Sequence, residues 1–364
     1  MKTPVPHTAA MAVLLLLIFP VSMALGQTVS LTYEGGLSPQ WLTPGKFAER
    51  PARITIRGLS GTVPLFGQEI PIAAQTSGQQ MAVGLDCNGD GQMDKGEYRQ
   101  VAPGGTASFD LELGKGKDRK KFAVHLTEVL VLSSPAGSII QAVPRPAHAW
   151  KATVNGVTVH LVDDNFDGRI TLDGQDAIVM GNGPAALPLK THHQIGDKHF
   201  QLKISDDGAK LEAKPAEKPE LGAVETPFNA SGLGCLIVAS DSGAYDLKAS
   251  GAKGIPAGEY RLVYGVVTAG DKYGVLTPTK NTPAYAIAAG VVNRLRIGNP
   301  LRLEFRGKAA FDGNGATVTI TPDVKLVGSG NEVYDLAAAG GMGKPKVVIG
   351  EGDRIVSVES MAFG

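Results

Sequence analysis

Short runs of alternating apolar and polar residues, separated by glycine, proline and acidic turns, fill the chain from Ser30 onward. Arg53-Ile54-Thr55-Ile56-Arg57 and Ala107-Ser108-Phe109-Asp110-Leu111-Glu112-Leu113 repeat with period two, the signature of strands with one buried face. Residues 81–85 form a compact apolar run, 121–132 continue the theme, and Ser133-Ser134-Pro135 stops it. Residues 58–71 are rich in Gly and Pro and read as loop with short extended pieces. Asn155-Gly156, between 150–154 and 157–161, predicts a type I′ hairpin. A second hairpin is expected at 200–211, turning at Asp206-Asp207-Gly208.

Beyond Glu220 short strands recur, among them 235–239, 244–247, 258–266, 284–288, 301–305, 324–327, 346–349 and 354–358. With 47 Gly and 23 Pro, long helices are disfavoured. The expected fold is mainly β, with little helix: two or three antiparallel β-sandwich-like domains. Lys214-Pro215-Ala216-Glu217-Lys218-Pro219-Glu220 has no apolar anchor and reads as a linker at 214–220. It divides an N-terminal β region (27–213) from a sandwich (221–297) and a C-terminal β module (298–364). The run Gly258-Glu259-Tyr260-Arg261-Leu262 resembles one strand of transthyretin-like and carboxypeptidase-regulatory-like modules, which implies an Ig-like sandwich there and no activity.

The first 26 residues read differently. Lys2 precedes an apolar run at 9–19, Pro20 breaks it, and Ala24-Leu25-Gly26 supplies small residues before Gln27. This is the pattern of a secretory signal peptide, and the run is shorter than the roughly 20 residues that span a bilayer. The expected location is periplasmic, cell-surface or extracellular. The body resembles that of β-rich secreted bacterial proteins. Charge is balanced, 35 basic against 35 acidic residues, and carries no nucleic-acid footprint. The basic run at 115–121 reads as a solvated hairpin tip, with an anionic-partner patch as the alternative. Only Cys87 and Cys235 are present, too few for a disulfide scaffold, and sequence leaves their pairing open.

The candidate chemistry lies at 86–97. Asp86, Asn88 and Asp90 occupy positions 1, 3 and 5 of a loop, Gly91 position 6, Gln92 position 7, Asp94 position 9 and Glu97 position 12. Calcium takes six to eight hard oxygens, and this spacing supplies them from one short segment. Gln92 would contribute its backbone carbonyl, Asp94 a water-mediated contact, and Glu97 a bidentate closure. Met93 would tie the loop to a core. The segment resembles the EF-hand calcium loop over these residues, but no helix is expected before it, so the loop should join strands or a strand and a short helical turn.

A second stretch, 163–176, matches at Asp163, Asn165, Asp167 and Gly168, with Arg169 offering its carbonyl and Ile170 matching Met93. Gly174 stands at position 12, so the closing carboxylate falls to Asp173 or Asp176. This loop resembles a dockerin-type or degenerate calcium loop.

Other constellations are weaker. His192, His193 and His199 lack the spacing of a known zinc site, and Trp41 and Trp150 read as core. No nucleophile elbow, H-E-x-x-H or phosphate loop occurs. The sequence therefore predicts an exported protein that binds calcium for structural reasons. Extracellular protein or glycan partners are the expectation, and the alternative is a secreted hydrolase or carbohydrate-binding protein.

Overall fold

A computed structural model describes residues 26–364, apart from 37–42, 45–52, 78–79, 115–118, 135–136, 184, 229–231, 251–253, 270–271, 312–317, 336–345, 352–353 and 361–364. The expected signal segment and Trp41 lie outside the described residues. The protein is mainly β, built from several antiparallel sheets with almost no helix. Among the described residues only strands Leu221–Glu225 and Val292–Arg294 pair in parallel. No helix of the described residues is long and apolar enough to cross a membrane.

Two four-stranded sheets make the first core. One is the meander Ser60–Leu65, Gln68–Ser77, Gln80–Leu85 and Tyr98–Val101. The other orders Ile54–Arg57, Gly137–Pro146, Lys120–Ser134 and Gly105–Leu113. Alternate residues of both, such as Val63, Leu65, Ile72, Val83, Phe109, Leu111, Val124 and Ile140, are buried together. Residues 58–71, expected as loop, are instead a hairpin in which Leu65 faces Gln68 across Phe66-Gly67. Pro64 is tolerated because its strand is the sheet edge, where one side needs no ladder bond. Phe66 and Gly67 have φ of 54° and 71°, the left-handed pair of a type I′ turn.

The second core lies between a five-stranded and a four-stranded sheet. The first orders Ala186–Pro188, Ala177–Met180, Val157–Val162, His148–Val154 and Thr32–Gly35; the other orders Gln27–Ser30, Lys210–Pro215, Lys198–Ile204 and His192–Ile195. The Asn155-Gly156 hairpin forms as expected: Val154 pairs with Val157, and φ is 51° and 74°. So does the 200–211 hairpin, with Ile204 opposite Leu211.

Strand Leu233–Ala239 is apolar on both faces because both are covered. Cys235 and Ile237 enter the second core, while Leu236 and Val238 enter a third with Tyr260, Leu262, Leu276 and Ile287. Residues 214–220 run between strands Lys210–Pro215 and Leu221–Glu225, and Lys214 and Pro215 are themselves strand residues. Across this segment Tyr264 Oη donates to the carbonyl of Ala186 at 2.9 Å. Both cysteines are free; Cys235 is buried and its thiol is pushed up to about 12, chiefly by burial.

Candidate metal loops

Each acidic loop joins two neighbouring antiparallel strands. The first leaves Gln80–Leu85 and returns through Tyr98–Val101, with Gly84 opposite Tyr98. Lys95–Glu97 forms one 3₁₀ turn, capped by Asp94 and Glu97 reciprocally. The second leaves Val157–Val162 and returns through Ala177–Met180, with Val162 opposite Ala177.

In the first loop the acids fold the backbone around themselves. Asp86 accepts the N–H groups of Gly89 and Gly91, both at 2.8 Å. Asn88 Oδ1 accepts from Asp90, and Asp90 Oδ1 accepts from Gln92, again at 2.8 Å. Glu97 reaches back across the loop, accepting from Cys87 at 2.6 Å and Asn88 at 3.3 Å through Oε1, and from Asp94 at 3.0 Å through Oε2. Asp86 and Glu97 are buried at the neck, whereas Asp90, Gln92 and Asp94 are exposed at the tip. Gly91 has φ of 81°, a conformation that any Cβ would strain. Met93 lies over Gly84, where a Cβ would meet its methyl at 2.6 Å, so the loop is tied to the sheet as expected. Cys87 packs against the first core, and burial with the neighbouring acids pushes its thiol up to about 11.

The second loop repeats this pattern. Asp163 Oδ2 accepts from Gly168 at 2.8 Å, as Asp86 does from Gly91. Asn165 accepts from Asp167 at 3.0 Å, and Asp167 from Arg169 at 2.8 Å. Both asparagines also donate through Nδ2 to the acid two residues on, at 3.0 Å in the first loop and 3.2 Å in the second. Asp176 plays the part of Glu97: it accepts from Asp164 at 3.2 Å and from Thr171 at 2.6 Å, the positions held by Cys87 and Asp94. The chain is two residues longer here and the closing side chain one methylene shorter. Of the two expected closers, Asp173 is exposed and accepts from Thr171 and Gln175 within its own turn.

The second neck is the more deeply enclosed. Asp163 and Asp176 are fully buried. Burial, then the charge of Asp176, pushes the Asp163 carboxyl up to about 8. Burial likewise raises Asp176 to about 7 against the hydrogen bonds from Thr171. Enclosed carboxyls whose protons are held this tightly are stabilised by a proton or by a cation. Among the described residues no three His, Cys, Asp or Glu side chains converge as a ready metal-holding group. The carboxylates are turned onto backbone amides of their own loops, and further oxygens would come from Asn88, Asn165 and the carbonyls of Gln92 and Arg169.

Both loops are seated on the first sandwich. Glu112 N–H donates to the Cys87 carbonyl at 2.7 Å, and Arg119 donates to that of Asn88 at 3.0 Å. Against the second loop, the Phe66-Gly67 turn packs so closely that a Cβ on Gly168 would meet the Phe66 carbonyl at 3.1 Å. Phe66 stacks on Phe122 at 4.4 Å between ring centroids and touches Phe166 and His148. This aromatic contact has no signature in the spacing of the sequence.

The histidine candidates do not converge. His193 is buried, accepts the Lys190 N–H at 3.0 Å and is pushed down to about 3 by burial. His192 Nδ1 lies 3.1 Å from the Thr191 hydroxyl, and His199 stands opposite Gln194. Trp150, expected as core, packs against both the first and the second core while staying partly open. No family model matches the chain, and neither a curated protein nor a solved structure shows significant similarity to it.

Proposed function

We propose that this is an exported calcium-binding protein in which Ca²⁺ fixes both acidic loops within a β scaffold. The observation that carries this reading is the repeated clasp. In two loops 77 residues apart in sequence, the side chains at positions 1, 3 and 5 accept the N–H groups at positions 6, 5 and 7, and a distant closing carboxylate accepts those at positions 2 and 9. A plain turn does not need a buried carboxylate returning from its far end. In the first loop the ligands are Asp86, Asn88, Asp90, the Gln92 carbonyl, Asp94 through water, and Glu97. In the second they are Asp163, Asn165, Asp167, the Arg169 carbonyl and Asp176, with Asp173 outside the set.

The role is structural. Strands flank both loops, so no helix pair is available to open on binding, as a sensor requires. A ligand bound only by the folded state stabilises it by about 2.7 kcal/mol at a hundred times its dissociation constant. Extracellular calcium keeps even weak sites filled. Calorimetric titration of the full chain with Ca²⁺, paired with melting scans in chelator, tests this. Two binding events and a higher melting temperature with calcium are expected. Unchanged binding and stability in an Asp86→Ala, Glu97→Ala double variant would overturn the first site.

A further inference from the structure

A cleft of about 780 Å³ opens beside the second loop. It is lined by the loop itself, Gly168 to Thr171, and by the hairpin turn from Ser205 to Ala209. Its lining includes Tyr33 and Trp150, which are direct cross-strand partners with rings edge to face at 6.4 Å. Both are only partly buried. Lys120, Lys121 and Arg169 also line it, and all three are exposed. Lys121 lies 3.6 Å from Glu112. Among the described residues no ion pair holds Lys120 or Arg169.

These groups define a ligand chemistry. Tyr33 stacks on His148 and Trp150 packs against both cores, and the parts of the two rings left open suit the C–H faces of sugar rings; the volume is that of a small-molecule site. Two uncommitted cations call for anionic groups. A densely charged phosphate chain would be repelled by Asp206 and Asp207 in the lining. Sugar hydroxyls are donors and suit an acidic wall. Asp207 is already engaged by the Ser205 hydroxyl at 2.6 Å and the Ala209 N–H at 2.9 Å, which leaves Asp206 for the ligand.

We propose that this cleft binds an acidic oligosaccharide, with sugar rings against Trp150 and Tyr33 and carboxylates on Lys120 and Arg169. The inference does not rest on the calcium reading. Trp41→Phe leaves Trp150 as the sole tryptophan and so as a fluorescent reporter of the cleft. In that background a short oligogalacturonate is titrated against a neutral cello-oligosaccharide, with calcium present, by fluorescence and calorimetry. The acidic sugar should shift Trp150 emission and bind about tenfold or more tightly than the neutral one, a difference of about 1.4 kcal/mol. Lys120→Ala with Lys121→Ala, both on exposed side chains outside the two loops, should weaken that preference while leaving the melting temperature unchanged. No binding, equal binding of the two sugars, or binding indifferent to the double variant would overturn the proposal. The last outcome would also expose simple calcium bridging of the uronate.

Discussion

Asp176 accepts the backbone N–H of Thr171 at 2.6 Å, and so closes the second loop from a position two residues later than Glu97 closes the first. The closing role thus passes to a residue outside the twelve-residue frame. Asp176→Asn should weaken calcium binding at this loop by about tenfold or more, because ligand charge sets affinity. Asp173→Asn should leave it unchanged. Calorimetry of the two variants separates them, and equal losses would refute the assignment.

The position-6 glycines should differ in their tolerance. Gly91→Ala meets no neighbour within 4 Å and pays only for its φ of 81°, about 1–2 kcal/mol. Gly168→Ala adds a clash with the Phe66 carbonyl and should cost more. Urea denaturation of both variants in chelator gives the comparison.

Without calcium, the two enclosed carboxyls should cost stability as pH rises from about 4 to about 8, most plainly above about 6.5, where His148 and His193 are neutral in both states. Asp163 and Asp176 hold protons in the fold up to about 8 and 7, whereas in the unfolded chain they lose them near 3.8. The folded state therefore binds more protons across this window, and raising pH favours unfolding. Calcium should flatten the slope, since the metal takes the proton's place and displaces it. Melting scans from pH 5 to 8, with calcium and with chelator, would show it; parallel profiles would count against both carboxyls.

Acid should destabilise the fold by a separate route. Burial pushes His148 down to about 4 and His193 to about 3, so both stay neutral in the fold while the unfolded chain protonates them below about 6.5. Their contribution is lost as pH falls from about 6.5 toward about 4, opposite in sign to that of the two carboxyls. Replacing His193 with Gln should shrink this acid-side loss while lowering stability at pH 7, as read by melting scans.

Tyr264→Phe removes the donor to the Ala186 carbonyl and leaves that buried acceptor unpaired. A loss of about 1–3 kcal/mol is expected, measured by urea unfolding. A change below measurement error would show that water satisfies the carbonyl.

Much of this was legible in the residues. Period-two alternation located most strands, and Asn155-Gly156 located its hairpin because only a left-handed pair fits that turn. The turn of the first loop was legible, because Gly91 stands where the pattern needs a positive φ and has one of 81°. The hairpin at Phe66-Gly67 was not, since its Gly and Pro content outweighed a weak alternation. The choice between Asp173 and Asp176 was not either, because it depends on which carboxylate the returning strand carries inward. Trp150 reads as core in the sequence and does pack against two cores, but its partly open position beside Tyr33, 117 positions earlier in the numbering, depends on strand pairing that local spacing does not encode.

The second core draws side chains from Ala152 through Val266, and strand Leu233–Ala239 closes one side of it. A chain made and threaded from its N-terminus completes the Val157–Leu211 hairpins well before Cys235, Ile237 and Tyr264 emerge to cover them. During that interval an apolar face stands open, which is when association with other nascent chains is most favoured. Severing the chain near Lys218 should therefore yield an N-terminal fragment that aggregates, even though every residue of both acidic loops is still in it.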